Sequence, residues 1–173
     1  IMQAWEAQRG MQDIMVFLQG HGIGAALALK IYRFYGLDTI RRVKDNPYAL
    51  ARDIYGVGFV LADRIAARLG ISGDFPLRVQ AGVLHILKEF VDQGHCFVLF
   101  SALIRNAAAL LRVGEGVIED AVEKLAASGD VILEQTTSEE RAHVYLADLY
   151  RAEQRVAEAL HRLLSSPSVT LGG

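Results

Sequence analysis

The sequence predicts a mainly α protein, in which a pair of helical hairpins precedes a smaller unit of helices with one β-hairpin. Three observations predict this fold class. A glycine pattern typical of a turn between helices occurs twice, apolar residues recur at spacings of three and four, and two short strand-like runs lie towards the C-terminal end. The hydrophobic content of 52% over 173 residues is ample for packed cores in one or two small domains.

The repeated pattern begins at Gly22 and again at Gly56. Both copies read glycine, apolar residue, glycine, three residues, alanine, two residues, apolar residue. The first glycine permits a tight left-handed turn, and the second, Gly24 or Gly58, stands where the next helix begins. Unpaired N–H groups and a partial positive charge at a helix N-terminus suit a phosphate. The pattern is that of a helix-hairpin-helix, and two copies predict a tandem, sequence-independent DNA-binding domain over residues 1–73.

Basic residues are concentrated on this hairpin pair. Residues 21–70 hold eight basic and four acidic residues, a net charge of +4, whereas the rest of the chain carries −6. Two hairpins about a pseudo-twofold axis would hold the two backbones of a duplex or successive phosphates of one strand. An ordinary helical turn used twice is the structural alternative. The candidate phosphate-binding residues are His21, Gly22, Ile23, Gly24, Lys30, Arg33, Gly56, Val57, Gly58, Arg64 and Arg68.

The hairpin helices follow from apolar spacing and from glycines in the helix-ending position. Asn46 is predicted to be a helix N-cap, and Pro47 is predicted to be the first residue of that helix. Gly36 and Gly70 are predicted to end two of the helices. The predicted helices of this domain cover residues 5–19, 24–35, 39–44, 47–53 and 58–69.

Residues 74–147 predict a winged-helix-like domain, because helix, strand, helix, helix and hairpin is the order of that fold. The third helix of such a domain usually enters the major groove, but here it carries four carboxylates and one lysine, which phosphates would repel. We therefore expect this domain to pack or to dock a partner rather than to read bases. The predicted elements are an amphipathic helix at 77–93, a short apolar run at 96–99, a capped helix at 101–111, a helix at 115–128, and strands at 131–134 and 143–146 joined by a polar turn at 136–140.

Residues 148–173 predict a last amphipathic helix, up to residue 164, and a linker at 165–168 towards a further domain. A chain that opens on Ile1 is expected to be an excised piece of a longer protein. The single cysteine, Cys96, excludes an internal disulfide framework and suits a reducing cytoplasm. No apolar run is long enough to cross a membrane, so no membrane partner is expected.

Catalytic and metal-binding patterns were sought in the same way. None of the four lysines follows a glycine, so a Walker A site is missing and no catalytic residue is predicted. His85, His95 and Cys96 fall short of a zinc pattern, so neither a metal site nor a cofactor is predicted for this chain.

Five stretches, at residues 17–23, 46–50, 54–59, 62–66 and 149–153, carry a resemblance to a known family. Together they resemble the N-terminal region of long-form RecD-like ATP-dependent DNA helicases, relatives of the exodeoxyribonuclease V α subunit. In that family a helix-hairpin-helix array precedes a superfamily 1 motor. The resemblance implies a parent enzyme that unwinds DNA 5′ to 3′ with ATP and Mg²⁺ in repair or recombination. It implies single-stranded or forked DNA and the motor in cis as partners.

Two other classes stay open. The first is a protein-interaction scaffold, whose acidic winged-helix-like surface docks the motor or a DNA-repair protein. The second is a helix-hairpin-helix DNA glycosylase. A member of that class is expected to carry a catalytic lysine just after the second glycine, and Val60 stands near that position in this chain. The other expected pattern is an aspartate in a Val-Asp-x-His stretch, and the sequence around Asp74 does not match it.

Overall fold

The computed structural model describes residues 2–135 and 142–165, with side chains from residue 8 onward. The described part is mainly helical with one small antiparallel sheet, which confirms the predicted fold class. The predicted polar turn at 136–140 and most of the predicted linker lie outside the described residues. The elements are α1 (Met2–Gly20), α2 (Ala25–Tyr35), a short 3₁₀ turn (Gly36–Asp38), α3 (Thr39–Asp45), α4 (Ala49–Asp53), α5 (Phe59–Arg68), α6 (Pro76–Asp92), β1 (Val98–Leu99), α7 (Phe100–Leu111), α8 (Glu115–Ser128), β2 (Val131–Glu134), β3 (His143–Leu146) and α9 (Ala147–Ser165).

Two helical hairpins form the N-terminal part: hairpin one is α1 and α2, and hairpin two is α4 and α5. The repeated alanines, Ala28 and Ala62, are fully buried, as are Ile31 and Ile65 three residues later. An alanine at this position lets the two helices of a hairpin approach closely, and the isoleucine extends the buried stripe by one turn. The repeated pattern therefore encodes packing as well as the turn itself.

Helix α4 begins two residues later than predicted, at Ala49. The Oδ1 atom of Asn46 accepts a hydrogen bond from the N–H of Tyr48 at 3.1 Å, and the carbonyl of Asn46 accepts one from Ala49 at 3.2 Å. Asparagine side chains stabilise turns in this way. The prediction that Pro47 is the first helical residue is wrong, because Asn46 caps a tight turn that precedes the helix.

Helix α7 begins at Phe100, and its N-cap residue is Leu99, which makes no side-chain cap hydrogen bond. The predicted side-chain cap is therefore wrong. Instead, the N–H of Phe100 donates to the carbonyl of Ala142 at 2.8 Å, in the segment that leads into β3. The segment before β3 thus satisfies one of the N–H groups that the first turn of a helix leaves unpaired.

The sheet has the strand order β1-β3-β2, and both pairings are antiparallel. Val98, Val131 and Val144 are buried, one from each strand. The succession α6-β1-α7-α8-β2-β3 is compatible with a winged-helix-like unit, and that assignment stays a prediction. None of the described helices is both long and apolar enough to cross a membrane.

A partly buried ion pair joins hairpin two to α6. The guanidinium of Arg78 donates from Nε and Nη2 to the carboxylate of Asp63 in α5, at 2.7 and 3.1 Å. Tyr48 donates its hydroxyl to the same carboxylate at 2.8 Å, and Arg78 Nη1 also reaches the carbonyls of Gly73 and Leu111. The hydrogen bond to Asp63 raises the pKa of Arg78, and burial raises that of Tyr48. This network connects the two predicted domains across residue 73; the boundary there stays a prediction.

Candidate nucleic-acid interface

The two hairpin turns have the backbone geometry that the glycine pattern predicts. Gly22 and Gly56 adopt φ values of +87° and +100°, a region that side-chain-bearing residues rarely occupy. The apolar residues that follow them, Ile23 and Val57, are buried and anchor each turn to the core. The prediction of left-handed glycine turns is confirmed in both hairpins.

The second glycine of each turn is the N-cap of the next helix. The first helical hydrogen bond of α2 runs from Ala28 to the carbonyl of Gly24 at 2.9 Å, and that of α5 from Ala62 to Gly58 at 3.1 Å. No side chain caps either helix. The first N–H groups of α2 and α5 consequently have no partner within their own helix and carry the partial positive charge of a helix N-terminus.

Open space lies in front of these two glycines. Gly24 and Gly58 have ordinary negative φ values, and a Cβ atom added at either would meet no heavy atom within 4 Å. Neither packing nor backbone conformation therefore requires glycine at these positions. Glycine is a favourable N-cap residue, and its missing side chain also leaves the backbone amides open to a close approach from outside.

Each turn is braced by a cation from the other hairpin. Lys30 of α2 donates to the carbonyl of Tyr55, just before Gly56, at 2.6 Å, and its Nζ lies 4.9 Å from the centre of the Tyr55 ring. Reciprocally, Arg68 of α5 donates to the carbonyl of Gly20 in hairpin one at 3.4 Å. Each turn is thus contacted by a cation of the other hairpin, with Lys30 at turn two and Arg68 at turn one.

The other two candidate cations lie differently. Arg64 is exposed, six residues after Gly58, whereas Arg33 is in the last turn of α2. Nine residues of helix separate Arg33 from Gly24, a rise of about 13 Å. The structure thus does not bring Arg33 to the amides of α2. Neither side chain has a hydrogen bond or ion pair among the described residues.

His21 belongs to the end of α1 as much as to the turn. Its Nδ1 atom lies 2.7 Å from the carbonyl of Phe17, and the two rings have centroids 4.4 Å apart. The side chain is half-buried. These contacts fix the ring next to Gly22.

Asp53, three residues before Gly56, also joins the two hairpins. It accepts hydrogen bonds from Tyr35 of α2 at 2.7 Å and from Arg52 at 2.7 Å. The hydrogen bond from Arg52, with a further contribution from Tyr35, lowers the pKa of Asp53 from 3.8, although burial opposes this shift. Burial, followed by the hydrogen bond to Asp53, raises the pKa of Tyr35 to about 12.

The lowered pKa of Asp53 predicts a pH-dependent part of the stability. An unfolded chain binds this proton near pH 3.8, and the folded chain only at lower pH. The stabilisation is therefore complete above pH 3.8 and is lost as the pH falls through the folded-state pKa. We expect Asp53→Asn to show a smaller loss of unfolding free energy than wild type between pH 5 and 3, measured by urea denaturation. Asp38→Asn, which removes an exposed ion-paired carboxylate, is the control. An unchanged pH dependence in Asp53→Asn would contradict the assignment.

His85 and Lys88 of α6, which the sequence analysis did not propose as DNA-binding residues, line a cleft beside Gly58. They follow Ala81 by four and seven residues, so all three lie on one face of the helix. This spacing is the sequence feature that could have grouped them. Among the described residues no group of three or more potential metal ligands occurs.

Sequence comparisons show which family the chain belongs to. Residues 7–97 match the family model of the ATP-dependent RecD2 DNA helicase HHH domain. The chain belongs to this family. The RecD2 HHH region includes both glycine turns, the bracing residues Lys30 and Arg68, and all of α6. The match confirms the resemblance to RecD-like helicases.

The chain is also similar to the ATP-dependent RecD2 DNA helicase of Deinococcus radiodurans, with 26% identity over 175 aligned residues. The alignment includes 96% of this chain and 24% of that protein. The chain thus spans about a quarter of the length of this curated relative.

Proposed function

We propose that this chain is a sequence-independent DNA-binding module that holds phosphates on the backbone amides of its two hairpins. The observation that carries the proposal is the open space in front of Gly24 and Gly58, at two helix N-termini without side-chain caps. Membership of the RecD2 HHH family supports the same ligand. A phosphate would accept hydrogen bonds from the first-turn N–H groups of α2 and α5.

The cations assist in different ways. Lys30 and Arg68 each bond to the turn of the other hairpin and add positive charge there. Arg64, without a partner among the described residues, is available to a second phosphate along the same backbone. Arg33, at the far end of α2, would act only through its long-range charge.

The proposed module lies beside an ATP-dependent 5′ to 3′ helicase motor in the same protein, where ATP and Mg²⁺ would bind. The name of the similar Deinococcus radiodurans protein supports this arrangement, since this chain spans only a quarter of it. Within the chain we propose a hairpin domain at 1–73, a winged-helix-like domain at 74–147 and a C-terminal segment at 148–173. Phosphate contacts by the module would hold DNA without reading its sequence.

Phosphate binding predicts a steep dependence of affinity on salt. Each neutralised phosphate contributes about −0.9 to the slope of log affinity against log salt for a duplex, and about −0.7 for a single strand. Two hairpins with one or two phosphates each therefore predict a slope of about −1.8 to −3.6 for a duplex and about −1.4 to −2.8 for a single strand. Fluorescence anisotropy with labelled single-stranded, duplex and forked DNA of two unrelated sequences measures it. Equal affinity at low and high salt, or a strong preference for one sequence, would contradict the proposal.

A protein-interaction scaffold is the second candidate. Specific support comes from α9, where Val156, Leu160 and Leu163 remain 54–72% exposed, and from the carboxylates on α8. Such a scaffold would dock the motor or a DNA-repair protein. Replacing Glu119 and Glu123 with glutamine distinguishes the two, because it should weaken partner binding and leave DNA binding intact.

A further inference from the structure

A cleft of about 240 Å³ opens next to the turn of hairpin two. Gly58 and Phe59 line it at the start of α5, Arg52 in α4, and His85 and Lys88 in α6. The cleft therefore adjoins the N-terminus of α5, where the proposed function places a phosphate. Its volume is below the range of about 300–1,000 Å³ typical of small-molecule sites, so it suits a group the size of a single base.

Three aromatic rings are stacked along this cleft. The ring of Phe59 lies between those of Tyr48 and His85, with centroids 6.1 and 5.3 Å apart and planes inclined by 22° and 21°. Tyr48 and Phe59 are buried, whereas the His85 side chain keeps 25% of its surface exposed. Nucleobases stack on such rings whatever their sequence, because every base has a flat face.

The charge of the cleft favours an anionic ligand. The residues that line it include Arg52 and Lys88 and no carboxylate. Arg52 is paired with Asp53, and Glu89 lies 3.5 Å from the His85 ring, but Lys88 has no partner among the described residues.

A second cleft, between α6 and α8, provides a contrast. It has a similar volume of about 200 Å³, but Asp74 and Asp120 line it together with Lys124. Carboxylates that line a cleft would repel a phosphate bound in it. The cleft beside Gly58 thus combines a ring stack, the cation Lys88 and the N-terminal residues of α5, whereas this second cleft does not.

We propose that this cleft binds one unpaired nucleotide of a DNA strand, with its phosphate on the α5 amides and its base stacked beside His85. The inference rests on the proposed function and deepens it, because it makes single-stranded or frayed DNA the preferred ligand of hairpin two. A base within a duplex would first have to leave its stack and its partner, which costs free energy. Paired DNA would therefore leave the cleft empty.

The test compares single-stranded and duplex DNA. Fluorescence anisotropy of the full chain uses a labelled oligothymidylate of about 12 nucleotides and a duplex of equal length. Ala81→Phe fills the cleft and should lower the affinity for the single strand about tenfold, since stacking of one base accounts for such a change. Lys88→Gln should lower the same affinity about threefold and flatten its salt slope by less than about one. Both variants should leave duplex affinity within about twofold of wild type. Lys124→Gln, which removes a lysine from the other cleft, is the matched control.

Several results would overturn the inference. If each variant lost affinity for single-stranded and duplex DNA equally, no base would enter the cleft. The same conclusion would follow if neither variant lost affinity for single-stranded DNA. If Ala81→Phe does not fold, the exposed Lys88→Gln carries the test alone. Failure of the proposed function would look different, because the wild-type chain would then bind neither DNA. A wild-type chain that binds duplex more tightly than single strand would overturn the cleft inference and leave the proposed function standing.

Discussion

Replacing Gly24 and Gly58 together with valine is expected to lower the affinity for DNA by about a hundredfold at low salt. Each valine would place a side chain where the phosphate must approach the helix amides. A hydrogen bond to a charged group contributes about 1.5–3 kcal/mol, so each hairpin accounts for about tenfold or more. Fluorescence anisotropy measures the affinity, and the salt slope should flatten by about one for each phosphate lost.

The matched control is Gly114→Val. Gly114 is the N-cap of α8, with φ −65° and ψ 149°, and its added Cβ would also meet nothing within 4 Å. Valine is a poor N-cap residue, so all three sites should lose a similar free energy of folding, of about 1 kcal/mol each. Wild-type affinity in a folded Gly24→Val/Gly58→Val double variant would show that the hairpin amides do not contact DNA.

Arg78→Met is expected to lower the free energy of unfolding by about 2–4 kcal/mol, measured by urea denaturation. The side chains of Arg78 and Asp63 are only 15% and 27% exposed. Removing the cation leaves a largely buried carboxylate without its partner, which costs more than the loss of a surface ion pair. Two backbone carbonyls, of Gly73 and Leu111, lose a donor as well.

Two variants complete this test. Arg41→Met breaks the pair with Asp38, whose side chains are 66% and 57% exposed, and should change stability by less than about 0.5 kcal/mol. Arg78→Met combined with Asp63→Asn should recover part of the loss, because it removes the unpaired charge. A stability of Arg78→Met within about 0.5 kcal/mol of wild type would contradict the role of this ion pair.

Local patterns predicted the turns and much of the secondary structure. A positive φ at Gly22 or Gly56 and a helix N-cap two residues later depend on a few neighbouring residues, which a short pattern contains. The predicted boundaries of α8, β2 and β3 coincide with those in the structure. The predicted start of α4 and the predicted cap of α7 were wrong because other hydrogen bonds form at these two helix starts. Asn46 caps a turn, and Ala142 supplies the partner of Phe100.

The arrangement of the site could not be predicted in the same way. Lys30 bonds to a residue 25 positions away and Arg68 to one 48 positions away, so their contacts depend on how the hairpins pack. A count of basic residues grouped these two with Arg33, although only Lys30 and Arg68 lie at the turns. The cleft beside Gly58 likewise needs α6, which the sequence analysis assigned to the other domain.

The most direct test of the central claim observes the amides themselves. A ¹H–¹⁵N NMR titration of this chain with unlabelled single-stranded DNA reports every backbone N–H separately. The account predicts that the largest shifts occur at the N–H groups of residues 24–26 and 58–60, and that they reverse as salt is added. Shifts centred instead on α8 or α9, with those six amides unmoved, would contradict it.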